Sequence, residues 1–164
     1  MKHNDLQHDL VNLGGGAHAL AIQILGNSDD AADAVHDAFA KVLARPDAFD
    51  VRKGPLKPWF LRVVRNQCLD LVRRRRTGDP AIEELVDPAL QPDRCLEREQ
   101  RDEQLQRALA EVSAERRQIL VLRDYLDLSY AEIADVLQIA PGTVMSRLHR
   151  ARLALKEALN AYDE

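Results

Sequence analysis

The stretch SYAEIADVLQIAPGTVMSRLHRARLALKE, residues 129–157, decides the fold of the C-terminal part of the chain. It opens with Ser129 three residues before Glu132, which is the spacing of a capping box. In that motif the serine hydroxyl accepts the backbone N–H of the glutamate, and the glutamate accepts the N–H of the serine. The helix that starts here ends after Leu137, and Pro141 fits the first turn of a second helix. Two helices joined across so short a break predict a helix-turn-helix.

The second helix has an apolar back and a polar, basic front. Its helical periodicity places Val144, Leu148, Ala151 and Leu155 on one narrow stripe. Arginine and serine side chains hydrogen-bond to base edges and phosphates, so we predict that the opposite side binds DNA. Taken alone, a helix of this kind is also typical of a solvent-exposed basic helix in any small bundle, without a role in DNA binding. The candidate DNA-binding residues are Thr143, Met145, Ser146, Arg147, His149, Arg150 and Arg152.

Composition predicts an all-α protein. The chain has 164 residues with 46% hydrophobic and 4% aromatic side chains, which suits one ordinary domain or two small ones. It shows no signal peptide and no membrane-spanning run, so we expect a cytoplasmic protein without membrane insertion. Cys68 and Cys95 form no C-x-x-C pair, so neither a disulfide scaffold nor a metal site is expected. We expect no cofactor and no enzymatic activity, because no acid/base or nucleophile–base constellation is visible.

Charge is distributed in blocks that the net charge of −4 conceals. Residues 52–76 carry nine basic residues against one acid, and residues 141–157 carry four against one. Between them, residues 77–103 carry nine acids, three bases and three prolines, which predicts an extended acidic linker that becomes helical near Asp93. This pattern predicts two nucleic-acid contacts separated by a segment that avoids nucleic acid.

The remaining helices follow from apolar periodicity and caps. Residues 1–12 are polar and are expected to fray, and the glycines at 14–16 are expected to interrupt any helix. A phosphate-binding loop is rejected at these glycines, because neither a preceding strand nor a following Lys-Ser/Thr is present. Helices are predicted at 17–25, from about 28 to 44, at 59–76, at 104–111 and at 113–126. The predicted core of the last two comprises Ile119, Leu120, Leu122, Tyr125 and Leu126.

The helix at 59–76 carries a basic stripe beside an aromatic residue. Arg62, Arg65, Asn66 and Arg73 share one side of this helix, and Trp59 stands at its start. Such a surface is suited to binding single-stranded or distorted DNA. It is equally typical of charged side chains that are merely exposed to solvent. Trp59 itself is expected in the core, with a partial stacking role as the alternative.

Five segments carry a resemblance to a known family. The segments RQILVLR (117–123), LSYAEIA (128–134) and PGTVMSRLHRAR (141–152) resemble region 4, the C-terminal promoter-binding domain of bacterial sigma factors. Residues 30–39 and WFLRVVRN (59–66), followed by Asp70 and Arg73, resemble region 2. Region 2, a linker and region 4 without further domains is the layout of extracytoplasmic-function (ECF) sigma factors. The resemblance implies a region 2-like domain at 1–76, an acidic linker at 77–103 and a region 4-like helix-turn-helix domain at 104–164.

The resemblance also implies partners and roles. The partners are core RNA polymerase, through its β′ clamp helices and β flap, promoter DNA and an anti-sigma factor. The front of the second helix reads the −35 element, with Arg147 and Arg152 on phosphates. The residues implied in binding and opening the −10 element are Arg52, Lys53, Lys57, Trp59, Arg62, Arg65, Asn66 and Arg73. The residues implied in binding the clamp are Asp33, His36, Asp37 and Ala40.

The sequence departs from the family pattern at several positions. Ala32 and His36 stand where Glu and Gln are usual, Met145 replaces a frequent basic residue, and Ser113 stands near a usual Pro. Two rival hypotheses stay open at this point. One is a helix-turn-helix regulator that acts without polymerase, and the other is a sigma mimic that titrates an anti-sigma factor.

Overall fold

The computed structural model describes residues 3–78, called the first half below, and residues 96–163, called the second half. These residues form helices and turns, which confirms the all-α class. The helices are α1 (His3–Leu25), α2 (Ser28–Ala44), α3 (Leu56–Arg76), α4 (Leu96–Glu111), α5 (Ala114–Leu120), α6 (Tyr130–Leu137) and α7 (Pro141–Asn160). Short 3-10 turns at Pro46–Ala48 and Val51–Lys53 lead into α3. Most of the predicted acidic linker, residues 79–95, lies outside the described residues.

Helix α1 corrects the expectation of a frayed start interrupted by glycines. It is continuous from His3 to Leu25, and Leu6 and Leu10 are buried at 3% and 1% exposure. Other chain segments come close to two of the three glycines, Gly14 and Gly16. A Cβ at Gly16 would lie 2.8 Å from Cδ2 of Leu126, and one at Gly14 would lie 3.5 Å from the Phe39 ring. Tertiary packing therefore outweighs the low helix propensity of glycine here.

The first half is a three-helix unit in which α1 packs against both α2 and α3. Asn27 caps α2, since its side-chain oxygen accepts the backbone N–H groups of Asp29 at 2.8 Å and Asp30 at 3.1 Å. The rings of Phe39 and Phe60 stack with their centroids 5.1 Å apart and join α2 to α3. These contacts fix the direction of α3, the helix that carries the first basic block.

The predicted helix-turn-helix is confirmed. The hydroxyl of Ser129 accepts the N–H of Glu132 at 3.2 Å, and the Glu132 carboxylate accepts the N–H of Ser129 at 2.9 Å, which completes the capping box. Helix α6 ends at Leu137, after which Gln138 adopts a left-handed conformation with φ of 57°. Pro141 then begins α7, and Val144, Leu148 and Ala151 of its predicted back are buried, while Leu155 is half-buried.

The placement of Tyr125 in the core was wrong, because its side chain is 70% exposed. The helix predicted at 113–126 changes at Val121 into a π-helical turn, in which the N–H of Leu126 donates to the carbonyl of Val121 at 2.8 Å. Successive residues rotate less in a π turn than in an α turn, so position 125 leaves the buried stripe. The same turn directs Leu126 into the core, where it is 8% exposed.

The two halves pack on each other and share one hydrophobic core. Helix α3 contacts α6, and α1 contacts α5. The side chain of Arg117 crosses between the halves, donating to the carbonyl of Gln23 at 3.1 Å and to that of Val112 at 2.6 Å. We call this packing the closed arrangement.

Candidate nucleic-acid interface

The outward side of α7 is the first candidate surface. Val144, Leu148 and Ala151 are buried at 1% exposure or less, so the helix is fixed by its back. Two hydroxyls on the front are already donors within the helix, Thr143 to the carbonyl of Ala140 at 2.7 Å and Ser146 to that of Thr143 at 3.1 Å. Their oxygens stay available as acceptors. All seven predicted residues are exposed: Thr143, Met145, Ser146, Arg147, His149, Arg150 and Arg152.

The arginines of α7 differ in their partners. Arg152 is bound by Asp124, with Nε donating to Oδ2 at 3.1 Å, and this hydrogen bond raises the pKa of Arg152. The ion pairs formed among the described residues include neither Arg147 nor Arg150. Guanidinium groups without an acidic partner are the ones able to bind phosphates or base edges without first breaking an ion pair.

Helix α3 presents the second candidate surface, and the second half covers part of it. Three side chains of the −10 prediction donate across the interface. Lys57 Nζ donates to the carbonyl of Leu126 at 2.7 Å, and Arg62 Nη1 to Asp135 Oδ1 at 3.2 Å. Arg65 Nε donates to Gln118 Oε1 at 2.8 Å. In the closed arrangement these groups therefore bind protein, not DNA.

The other residues predicted for this surface lie outside the interface. Asn66 and Lys53 are exposed. Arg73 pairs with Asp70, and Arg52 pairs with Asp50 at 3.2 Å, which lowers the pKa of the Asp50 carboxyl.

Trp59 is partly buried and packs against Phe49, with the ring centroids 5.1 Å apart and the planes tilted by 52°. Part of the indole thus belongs to the core and part faces solvent at the start of α3. The structure is compatible with both readings of this residue, core packing and base stacking.

The clamp-binding prediction falls on one exposed side of α2. Asp33, His36, Asp37 and Ala40 are all exposed, while Ala34 and other residues on the opposite side are buried. The helix is held from within by its apolar side and by Asp30, which forms an ion pair with Arg75. Two carboxylates and an imidazole thus lie on a rigid helix, free of the interface between the halves.

Sequence reasoning missed the residues that join the two halves. Asp135 and Gln118 lie 73 and 53 residues from their partners on α3, and hydrophobic periodicity does not identify such pairs. One signal was present. Gln118 is a polar residue inside the apolar run of α5, and it is buried at 4% exposure. A buried polar side chain requires a hydrogen-bond partner, and the structure supplies it as Arg65 from the first half.

Three further observations concern the cysteine, the metal-binding side-chain types and the helices of the described residues. Burial raises the pKa of the Cys68 thiol to about 12, so it is not a nucleophile near neutral pH. No cluster of three or more His, Cys, Asp or Glu side chains suited to a metal occurs in residues 3–78 and 96–163. Over the same ranges, no helix has the length and apolarity needed to cross a membrane.

Comparison with known proteins identifies the family. The model of Sigma-70 region 2 matches residues 13–77, and that of Sigma-70 region 4 matches residues 102–155. The ECF RNA polymerase sigma factor SigM of Mycobacterium tuberculosis is 35% identical over 142 residues, which cover 87% of this chain and 70% of SigM. The chain belongs to the ECF family of RNA polymerase sigma factors.

Further relatives support the membership of this ECF sigma factor. SigW of Bacillus subtilis is 25% identical over 154 residues, covering 87% of this chain and 82% of SigW. The sigma factor RpoE of Bartonella quintana, solved in complex with the anti-sigma factor NepR, is similar with a TM-score of 0.74 and 27% identity. That likeness covers 95% of this chain and 97% of RpoE.

Family membership favours the sigma-factor hypothesis over a helix-turn-helix regulator that acts without polymerase. As an ECF sigma factor, the chain directs core RNA polymerase to specific promoters to initiate transcription. Its family consists of regulators of transcription, not of catalysts. A helix-turn-helix regulator that acts without polymerase would account for the region 4 match alone and leave residues 13–77 without a role.

Proposed function

We propose that this ECF sigma factor divides its work among three segments. Residues 1–76 bind core polymerase and the −10 element, residues 77–103 form an acidic tether, and residues 104–164 bind the −35 element. The chain acts in the cytoplasm, catalyses no reaction itself and is held in check by an anti-sigma factor. The observation that carries the proposal is the pair of basic helices, α3 and α7, on separate halves of a chain of this family.

The −35 element is read by the front of α7. Arg147 and Arg150 are exposed and lack acidic partners among the described residues, so they are available to phosphates and base edges. Arg152 already forms an ion pair with Asp124. It contributes to DNA binding if this ion pair opens, or if the guanidinium binds a phosphate while it stays paired with Asp124. His149, Met145 and the acceptor oxygens of the two hydroxyls complete the reading surface.

The −10 element is bound and opened by α3 and the loop before it. Asn66 and Lys53 are exposed, whereas Lys57, Arg62 and Arg65 are half-buried and must release their hydrogen bonds to the second half before they are fully available to DNA. Trp59 supplies an aromatic surface at the start of the same helix. Promoter opening therefore requires that the closed arrangement be given up first.

Core polymerase binds through the outer side of α2 at its β′ clamp helices, and the second half reaches the β flap. The acidic pair Asp33 and Asp37 suits a basic partner surface. Asp37→Arg reverses the charge in this patch, and Asp47→Arg makes the same change on an exposed residue outside α2. Co-elution with core polymerase in gel filtration should be weakened by Asp37→Arg alone. Equal losses in both variants would show that the effect is general charge and not the clamp-binding patch.

In vitro transcription tests the function as a whole. Core polymerase is incubated with and without the purified chain on total genomic DNA of the host, and the transcripts are sequenced. We expect new transcript starts that depend on the chain and share two conserved elements at one spacing. A chain that associates with core polymerase but starts no new transcripts would instead support the sigma mimic, which titrates an anti-sigma factor.

A further inference from the structure

A cavity of about 260 Å³ lies between the two halves, and arginines dominate its walls. Its charged lining comprises Arg65 from α3, Glu115 and Arg116 from α5, and Arg147 and Arg150 from α7. Four arginines and one glutamate line the cavity, which gives its charged lining a formal excess of three positive charges. Gln118, Ile119 and Leu137 complete the lining.

Among the residues that the structure describes, Glu115 is the carboxylate that lines this cavity beside the four arginines. The ion pairs among the described residues include none of the four arginines. Burial lowers the pKa of Arg65, and the nearby Glu115 offsets this only in part. Clustered guanidinium groups repel one another, and repulsion is strongest where solvent is partly excluded. An anion in the cavity would reduce the repulsion and would offset the electrostatic cost of burying Arg65.

We propose that the cavity binds a diphosphate group, either as inorganic pyrophosphate or as the diphosphate of a nucleotide, and that the bound anion stabilises the closed arrangement. Planar guanidinium groups donate two parallel hydrogen bonds to phosphate oxygens, so several arginines around one cavity favour a multiply charged phosphate over a simple anion. The cavity is smaller than the range of about 300–1,000 Å³ typical of sites for drug-sized ligands, which favours a compact occupant.

The geometry assigns this site to the closed arrangement only. Arg65 belongs to the first half and the other three arginines to the second, so the complete cavity disappears when the halves separate. A ligand that binds one of two arrangements shifts the equilibrium toward it. The diphosphate would thus compete with promoter DNA for Arg65, Arg147 and Arg150. This competition rests on the proposed function, whereas diphosphate binding to the free chain does not.

Calorimetric titration of the full chain with inorganic pyrophosphate, at constant ionic strength, tests the site. Arg65→Gln and Arg147→Gln each remove one charge from the cavity, and each should weaken binding about tenfold or more. Arg107→Gln removes one charge from an exposed residue that pairs with Glu103 on α4, outside the cavity, and should leave the affinity close to that of the wild type.

The Arg65→Gln variant distinguishes an anion bound in the cavity from an anion bound on the front of α7. If Arg147→Gln weakens pyrophosphate binding and Arg65→Gln does not, the anion sits on α7 alone and the proposal is overturned. Equal binding of sulfate and pyrophosphate at the same ionic strength would also overturn it, since that result means unspecific ion pairing. Parallel titrations with ADP and GDP identify the source of the diphosphate. Tighter binding of a nucleotide than of pyrophosphate would indicate a nucleotide ligand, and weaker binding would indicate free pyrophosphate.

Energy transfer between a dye on each half measures the coupling to conformation. Pyrophosphate should raise the fraction of closed molecules in the wild type and leave Arg65→Gln unchanged. Binding without any change in energy transfer would overturn the coupling. None of these measurements uses DNA or polymerase, so a failure here leaves the proposed function untouched, and a failure of transcription leaves this site untouched.

Discussion

A substitution at Gly16 should weaken the closed arrangement without removing any hydrogen bond. An alanine here would place its Cβ 2.8 Å from Cδ2 of Leu126, which is closer than a van der Waals contact allows. Leu126 belongs to the second half and is 8% exposed, so its terminal methyl group has to shift within the shared core to make room. We predict that Gly16→Ala shifts the chain from the closed arrangement toward separated halves.

Two opposing free-energy contributions arise from Gly16→Ala, and one of them changes the equilibrium between closed and separated molecules. Replacing glycine by alanine inside α1 stabilises the helix by about 1 kcal/mol, and this term is the same whether the halves are packed or separated. Overpacking at Leu126 costs about 1–3 kcal/mol and applies only to the closed arrangement. The ratio of separated to closed molecules should therefore rise by about 5- to 150-fold.

Gly15→Ala is the matched control. A Cβ at Gly15 meets nothing within 4 Å, so this variant gains the helix term without the overpacking term. In urea denaturation Gly15→Ala should raise the free energy of unfolding by about 1 kcal/mol. The free energy of unfolding of Gly16→Ala should be lower than that of Gly15→Ala by the cost of the close contact with Leu126.

Energy transfer between dyes at Ala44→Cys and Glu157→Cys reports the separation of the halves. Both positions are exposed, and Cys95→Ser removes one native thiol. Cys68 is buried and burial raises its pKa to about 12, so it should stay unlabelled in the folded protein. Lower transfer in Gly16→Ala than in both Gly15→Ala and the wild type is the expected result. Identical transfer in all three proteins would refute the reasoning that Leu126 against Gly16 helps to hold the halves together.

Three further predictions concern single side chains. Arg150→Ala should weaken binding to a −35 duplex by about 5- to 150-fold, as expected for loss of a base contact, and fluorescence anisotropy that shows no change would exclude Arg150 from the reading surface. Asn66→Ala and Arg65→Ala should slow strand opening more than they weaken initial promoter binding. Permanganate reactivity of promoter thymines measures this, and wild-type reactivity in both variants would contradict the −10 assignment. Ser129→Ala removes a helix cap and should cost about 1 kcal/mol in urea denaturation, so an unaltered midpoint would mean that the capping box adds nothing to stability.

Local chemistry was readable from the sequence wherever neighbouring residues determine it. The capping box at Ser129 and the start of α7 at Pro141 appear in the structure where the sequence predicts them. Helix α2 begins at Ser28, where the sequence predicts it, and Asn27 caps it because its side-chain oxygen reaches two backbone N–H groups. Each of these features spans four residues or fewer, so no tertiary information was needed.

The errors arose where distant residues decide the outcome. Glycine propensity predicted a break in α1, but Gly16 is needed where Leu126 approaches from a position 110 residues away in sequence. The π turn at Val121–Tyr125 changed which side of the chain is buried, and regular α periodicity could not indicate it. Likewise, the basic stripe of α3 was visible in the sequence, whereas its partners Asp135 and Gln118 were not.

The closed arrangement links DNA binding to conformation. On the proposed assignment, Arg62 and Arg65 cannot contact the −10 element while they donate to Asp135 and Gln118. Only separated molecules are then competent, and the apparent affinity for the −10 element falls in proportion to the fraction of competent molecules. Arg62 and Asp135 are 33% and 55% exposed, and a pair of this kind contributes only about 0.2–1 kcal/mol. The shared apolar core must therefore provide most of the closing free energy, and polymerase must offset that burial when it separates the halves.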